Sequence, residues 1–202
     1  MRVLISGASG LIGSALSTAL RVRGDEVLAL VRRAPASPNE VQWHEKGSIE
    51  PQALESVDAV VHLAGRNVAA RWTEKTKREI FDSRVTGTCV LAEAVAESYR
   101  RAGKPKTFVA ASAIGYYGNR GDEILTEESS SGGGFLAEVV RRWEEAGGAA
   151  KSAGVRVVQP RIGVVLSRNG GALEKMLLPF RMGVGGKIGS GEQWMSWIAM
   201  TD

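Results

Sequence analysis

The stretch "SGASGLIGSALSTALRVRG" opens at Ser6 and crowds Gly7, Gly10 and Gly13 together just inside the chain. Before it comes the apolar run "RVLIS" (Arg2–Ser6). After it come Ile12, Ala15, Leu16, Ala19 and Leu20, whose spacing is helical. A strand, a glycine-rich turn and a helix in this order leave few folds open. Gly7 permits a tight turn out of the strand, and Gly10 removes a Cβ where a ligand's pyrophosphate has to approach. Gly13 lets the helix pack close to the sheet. The N–H groups of Ser9, Gly10, Leu11 and Ile12 then face that pyrophosphate, helped by the helix dipole. Glycine-rich turns also occur for structural reasons alone, but the flanking strand and helix favour a dinucleotide here.

The rest of the chain repeats the alternation. Gly24 closes the first helix, "EVLALV" (Glu26–Val31) is a second strand and "EVQWH" (40–44) a shorter third. "DAVVHLAG" (58–65) is a strand running into a loop, and residues 73–101 form a long helix carrying Ile80, Val85, Val90, Leu91, Ala94 and Val95. "KTFVAAS" (106–112) is a strand, residues 134–153 a helix and "VRVVQPR" (155–161) a further strand. "GALEKMLLPF" reads as a helix and "GEQWMSW" as strand or loop. Apolar, β-branched strands alternating with helices predict an α/β fold. The specific expectation is a Rossmann-type, doubly wound parallel sheet with helices on both faces. Residues 1–168 are expected to form a dinucleotide-binding domain. Residues 169–202 are expected to be part of a substrate lobe in a truncated chain.

Composition narrows the function. At 202 residues and 44% hydrophobic the chain can bury a substantial core. Net charge is +4, but the Lys and Arg residues fall on helices and their ends with no aromatic-interleaved patch, so no nucleic-acid partner is expected. Cys89 is the sole cysteine, which removes any internal disulfide. His44 and His62 lack the neighbours of a structural zinc site, and no metal is expected. No apolar run reaches membrane-spanning length, and the first strand leaves no room for a signal peptide. The expected setting is cytoplasmic, without a membrane partner; the expected partner is a small-molecule substrate.

The second strand ends in "VRR", Val31-Arg32-Arg33, with no Asp or Glu there. An acidic residue at that place would bind the ribose hydroxyls of NAD and repel a 2′-phosphate. Guanidinium groups clamp such a phosphate through charge-assisted hydrogen bonds. The expected cofactor is therefore NADP, held at its adenosine end by Arg32 and Arg33. Two arginines merely exposed on a loop are the alternative.

The motifs "GASGLIG", "VVHLAG", "VTGT", "ASAIGYYG" and "PRIGVVLS" occur in this order. With them the chain resembles the short-chain dehydrogenase/reductase superfamily, in its extended, NAD-dependent epimerase/dehydratase branch. "RWTEKTKREIFDSRVTGT", "FLAEVVRRWE" and "GGALEKMLLPFRMGVGGKIGSGEQWMSWI" are similar to an atypical subgroup, the epimerase family proteins. The resemblance implies that Leu63, Ala64 and Gly65 form the loop against the adenine-ribose half of the cofactor. It puts Arg84 where the extended enzymes carry an asparagine facing the cofactor cleft, with Glu79 on the same helix face. A solvated Glu79–Arg84 pair is the alternative. It also implies a contact from Val165 near the nicotinamide. Two departures stand out. Arg66 reverses the acidic charge usual after "VVHLAG", and "IAMTD" lacks the His-Ile-Asp-Asp pattern of relatives. Such proteins also continue for about another hundred residues.

The resemblance further implies a Tyr-x-x-x-Lys pair for proton transfer. Phe135 and Val139 stand in those places, and neither can move a proton. Ser112 matches the serine or threonine that orients the substrate oxygen, with satisfaction of a strand-end backbone group as the alternative. Tyr116 or Tyr117 is the candidate proton donor, with structural or substrate-lining packing as the alternative. Ser112 and Tyr116 are the expected catalytic pair, with Trp194 and Trp197 able to line the pocket. Two functions remain open from sequence. One is an NADP-dependent oxidoreductase or epimerase acting on a small sugar-like or carbonyl substrate. The other is a non-catalytic NADP(H)-binding redox sensor or scaffold.

Overall fold

The structure is a computed structural model that describes residues 1–43, 47–187 and 189–202. The strands in chain order are β1 (Arg2–Ser6), β2 (Glu26–Val31), β3 (Glu40–Gln42), β4 (Ala59–His62) and β5 (Thr107–Ala110). They are followed by β6 (Ser112–Ala113), β7 (Arg156–Val158), β8 (Arg161–Ile162), β9 (Val164–Ser167) and β10 (Trp197–Ala199). The helices are α1 (Leu11–Val22), α2 (Glu74–Ala102), α3 (Phe135–Glu145), α4 (Gly148–Ser152) and α5 (Gly171–Arg181).

Six strands form one sheet in the order β3-β2-β1-β4-β5-β7, every pair parallel. The chain winds outward from β1 to β3, then returns to the other side of β1 with β4. That reversal leaves a crevice beyond the carboxyl ends of β1 and β4. The two-residue period of the strands divides their side chains between two cores. Leu4, Leu28, Val60 and Phe108 pack on one face against Leu91, Ala92 and Val95 of α2. Val3, Ile5, Val27, Ala59 and Val61 pack on the other against Leu16 and Leu20 of α1. The doubly wound α/β architecture expected from the alternation is the observed one.

Local departures have local causes. Thr73 caps α2 by accepting from Thr76 N, and Gly103 ends it at φ 67°. The helix expected over 134–153 is two helices. Gln159 Nε2 donates 2.7 Å to the Glu144 carbonyl, and a Cβ on Gly147 would come within 3.3 Å of the same nitrogen. The strand expected over 155–161 is also divided. Pro160 has no N–H for the ladder, and its carbonyl instead accepts from Ser112 N. Pairing resumes one step later between β6 and β8, in the register Ser112↔Arg161. Of the segment 40–44, Glu40–Gln42 is strand, while His44 lies outside the described residues. In the last stretch β10 returns to pair in parallel with β9. Among the described residues no helix is long and apolar enough to cross a membrane.

Candidate nucleotide cradle and adjoining cavity

The turn between β1 and α1 explains each of its glycines. Gly7 has φ 71°, and a Cβ there would stand 3.0 Å from both the Leu63 carbonyl carbon and Ala64 N. On Gly13 a Cβ would lie 2.1 Å from the Gly7 carbonyl oxygen, so the first helical turn can approach only without one. Gly10 is the N-cap of α1; no side chain caps the helix and its first turn carries no acid. The N–H groups of Leu11, Ile12 and Gly13 therefore have no intrahelical acceptor and form the positive end of the helix dipole. Ser9 precedes them at the exposed rim.

The loop after β4 is tied to this turn through Ser6. Its Oγ accepts from Leu63 N at 3.1 Å and Ala64 N at 3.3 Å, and lies 2.5 Å from His62 Nδ1. With both lone pairs accepting, the Ser6 hydroxyl donates to Nδ1, which leaves the imidazole neutral with its proton on Nε2. Burial pushes His62 down to about 4. Among the described residues Nε2 has no hydrogen-bond partner, and it faces Gly87 and Trp43. Gly87, the glycine of "VTGT", is small because a Cβ would meet Trp43 at 3.2 Å.

Gly65 lies against Arg84, whose guanidinium carbon would be 3.3 Å from a Cβ on the glycine. Arg84 stacks over Trp143 at 5.3 Å and donates to the carbonyls of Arg66 (2.9 Å) and Ile80 (3.4 Å). Burial lowers its pKa from the usual arginine value. Among the described residues no carboxylate pairs with it. Glu79 pairs instead with Arg66 at 3.3 Å. Thus the alternative of a Glu79–Arg84 pair is not the arrangement found. On the opposite side the turn from β9 to α5 closes over the tip of α1, where a Cβ on Gly171 would meet Leu11 Cδ2 at 2.9 Å and lie 3.6 Å from the Val165 carbonyl. Close approaches thus link Gly7 with Gly10, Gly13, Leu63 and Ala64, Gly65 with Arg84, and the Val165 carbonyl with the turn over Leu11. At the end of β2, Arg32 is exposed and makes no ion pair among the described residues, whereas Arg33 is bound to Glu40 at 2.6 Å.

A second cluster lies beyond β5. Ser112 is 3% exposed and donates a 2.5 Å hydrogen bond to Glu144 Oε1. Glu144 also receives Arg161 through Nε (2.8 Å) and Nη2 (2.9 Å), a bidentate pair. Burial raises the Glu144 pKa, but the hydrogen bonds from Arg161 and Ser112 outweigh it and hold the carboxyl below its usual value. Arg161 Nη1 donates to Tyr117 Oη at 3.0 Å, and the guanidinium lies 3.5 Å above the centre of the Tyr116 ring. A cavity of about 1210 Å³ opens beside this cluster, its wall including Tyr117, Asn119, Glu144, Arg161 and Trp194. Trp194 closes one side by donating to Asp122 Oδ1 at 2.6 Å. Trp197 starts β10 and does not line the cavity. At the start of α3, Phe135 packs edge-on to Trp72, and Val139 is in the core at 1% exposure. Glu40 and Asp122 carry no functional signal in the local sequence pattern. For Glu144 and Arg161 the sole pointers are "RRWE" on a helix and the arginine after the proline of "PRIGVVLS".

Comparison with known proteins bears on this arrangement. The model of the NAD dependent epimerase/dehydratase family matches residues 3–202. An epimerase family protein of Mycobacterium bovis is 50% identical over 202 residues, covering 99% of this chain and 65% of the relative. The chain thus spans a little under two thirds of that relative's length. A Corynebacterium glutamicum structure described as a nucleoside-diphosphate sugar epimerase superposes with TM-score 0.87 at 45% identity, covering all of this chain and 41% of the other. The structure of the human epimerase family protein SDR39U1 with NADPH superposes with TM-score 0.88 at 38% identity, covering all of this chain and 67% of the other. By family match, identity and shared fold, the chain belongs to the NAD dependent epimerase/dehydratase family.

Proposed function

We propose that the chain binds NADP(H) and serves an oxidoreductase or epimerase reaction on a small sugar-like or carbonyl substrate. The observation that carries the reading is the uncapped, acid-free start of α1 beside Arg32, which is exposed and makes no ion pair among the described residues. The fit is steric as well as electrostatic: turn, helix and neighbouring loop meet so closely that Gly7 and Gly13 admit no side chain, while the amides of the first turn stay open. A related human protein carries NADPH on the same fold, which supports the choice of the phosphorylated cofactor. Bound there, a nicotinamide dinucleotide would supply hydride exchange at its ring.

The chain's residues divide the remaining work. The amides at Ser9, Leu11 and Ile12 hold the pyrophosphate, Leu63, Ala64 and Gly65 the adenine-ribose side, and Arg32 the 2′-phosphate. Glu79 and Arg84 border the cleft from α2, and Val165 closes it near the nicotinamide. Ser112 donates to Glu144, so it meets a substrate only as an acceptor. Of the two tyrosines, Tyr117 lines the cavity while Tyr116 offers its ring to Arg161. Tyr117 Oη accepts from Arg161, leaving its own O–H proton free for a substrate oxygen.

The test is a fluorescence titration of the protein with NADPH and NADH, followed by a search for cofactor oxidation over a panel of carbonyl compounds. The reading expects saturable NADPH binding, weaker NADH binding, and turnover that Tyr117→Phe abolishes without changing NADPH affinity. NADPH binding with no turnover on any substrate would reduce the function to cofactor binding. No binding would overturn the reading.

A further inference from the structure

Sequence treats Arg32 and Arg33 as equals, but the structure separates them. Arg33 Nη1 donates to Glu40 Oε2 (2.8 Å) and to the Ala34 carbonyl (2.9 Å), and Nη2 donates to Glu40 Oε1 (2.6 Å). Glu40 Oε2 also accepts from Ala36 N at 2.6 Å. One carboxylate thus gathers both ends of the loop between β2 and β3. Its side chain is only 16% exposed although it sits on an edge strand, because the loop wraps around it. Glu40 is in register with Ala29, two residues before the carboxyl end of β2 where the crevice opens. Arg33 is therefore drawn back along the sheet edge, while its neighbour Arg32 stays exposed at the rim and makes no ion pair among the described residues. The Arg33 hydrogen bond leads the causes that hold the Glu40 carboxyl below its usual value, so the pair is charged across the neutral range.

Resting on the NADP(H) reading, we infer that Glu40 is a positioning residue for cofactor selection. It folds the 32–39 loop around its carboxylate, withdraws Arg33 from the phosphate, and leaves Arg32 as the guanidinium that receives the 2′-phosphate. Arg33 then acts on the cofactor only through Glu40. A surface ion pair contributes little to global stability. Its effect appears instead in how well a loop is pre-organised to receive a ligand.

The experiment measures dissociation constants of NADPH and NADH for the unaltered protein and for Arg32→Ala, Glu40→Ala, Arg33→Ala and the double variant Arg33→Ala/Glu40→Ala. Arg32→Ala is expected to weaken NADPH binding by more than about tenfold, the scale of one lost charge-assisted contact, with NADH within about twofold. Glu40→Ala is expected to weaken NADPH by about fivefold with NADH again nearly unchanged, the order of a lost loop pre-organisation. A general structural defect would weaken both cofactors alike, so the NADPH-to-NADH ratio is the deciding quantity. Adding Arg33→Ala to Glu40→Ala should cost nothing further. A further tenfold loss in the double variant, equal losses for both cofactors, or unchanged or tighter NADPH binding by Glu40→Ala would each overturn the inference while leaving NADP(H) binding intact. Failure of the unaltered protein to bind NADPH would overturn both.

Discussion

Ser112 Oγ and Glu144 Oε1 are 2.5 Å apart, joining the segment after β5 to the last turn of α3. Arg161 grips the same carboxylate from β8, and both partners of the ion pair are only 17% exposed. Removing one member leaves the other charged, largely buried and unpaired. Glu144→Ala is expected to cost about 2–3 kcal/mol, somewhat less than for a fully buried pair because some solvent still reaches the site. Replacing both as Glu144→Gln/Arg161→Met is expected to cost less than Glu144→Ala alone. Urea unfolding of the three proteins measures this; equal or larger loss in the double variant would show that the pair holds no mutual dependence.

The neutral, buried His62 makes stability depend on pH in a defined window. In the unfolded chain its imidazole takes up a proton near 6.5, whereas in the folded protein it does so only at about 4. Between those values the unfolded state holds the extra proton, so stability falls as pH falls and is unaffected by this group above the unfolded pKa. From about pH 7 to about pH 4.5 the unaltered protein is expected to lose about 2 kcal/mol more than His62→Asn, whose Oδ1 still accepts from Ser6. Denaturant unfolding at both pH values gives the difference directly. Parallel pH profiles for the two proteins would rule out a neutral His62.

Much of this architecture is legible from local pattern. The glycine-rich turn, the helical spacing after it and the apolar strands each encode a backbone choice made within a few residues, and the sheet follows from repeating it. What pattern does not carry is pairing across distance. Nothing local announces that Glu40 takes Arg33, that Glu79 turns to Arg66 rather than Arg84, or that Arg161 joins Glu144 to two tyrosines. Each depends on which charge reaches which partner once the elements are packed. The same holds for the breaks in the expected 134–153 helix and 155–161 strand, where a single side chain, Gln159, and a missing proline N–H decide the boundaries.

The cradle predicts two different outcomes for two neighbouring glycines. A Cβ on Gly13 collides with the Gly7 carbonyl at 2.1 Å, backbone against backbone, so Gly13→Ala is expected to destabilise by about 3 kcal/mol and to abolish NADPH binding. A Cβ on Gly10 meets only the Gly7 oxygen at 3.2 Å, and an alanine N-cap there costs below about 1 kcal/mol. Gly10→Ala should therefore fold with a melting temperature only a few degrees lower, yet bind NADPH at least about tenfold more weakly because the methyl group faces the pyrophosphate. Thermal unfolding and cofactor titration of both variants separate the two roles. Full NADPH affinity in Gly10→Ala would place the pyrophosphate elsewhere.

Across the mouth of the cavity, Trp194 Nε1 donates to Asp122 Oδ1 over a sequence separation of 72 residues, although the indole is 78% exposed. Gly121 and Gly191, with φ of 57° and 75°, allow the chain to turn on either side of this contact. The bond joins two segments that otherwise share few buried apolar contacts, which places them at the low-stability end of the molecule. Trp194→Phe keeps an aromatic ring and removes only the donor. Amide hydrogen exchange in residues 118–127 and 190–196 is expected to accelerate by about three- to tenfold, the scale of one charge-assisted hydrogen bond largely open to solvent, and Asp122→Asn by less. Exchange at the start of α1, which does not line the cavity, should stay as it was. Unchanged exchange in both segments would mean that the two sides of the cavity are held together by something other than this bond.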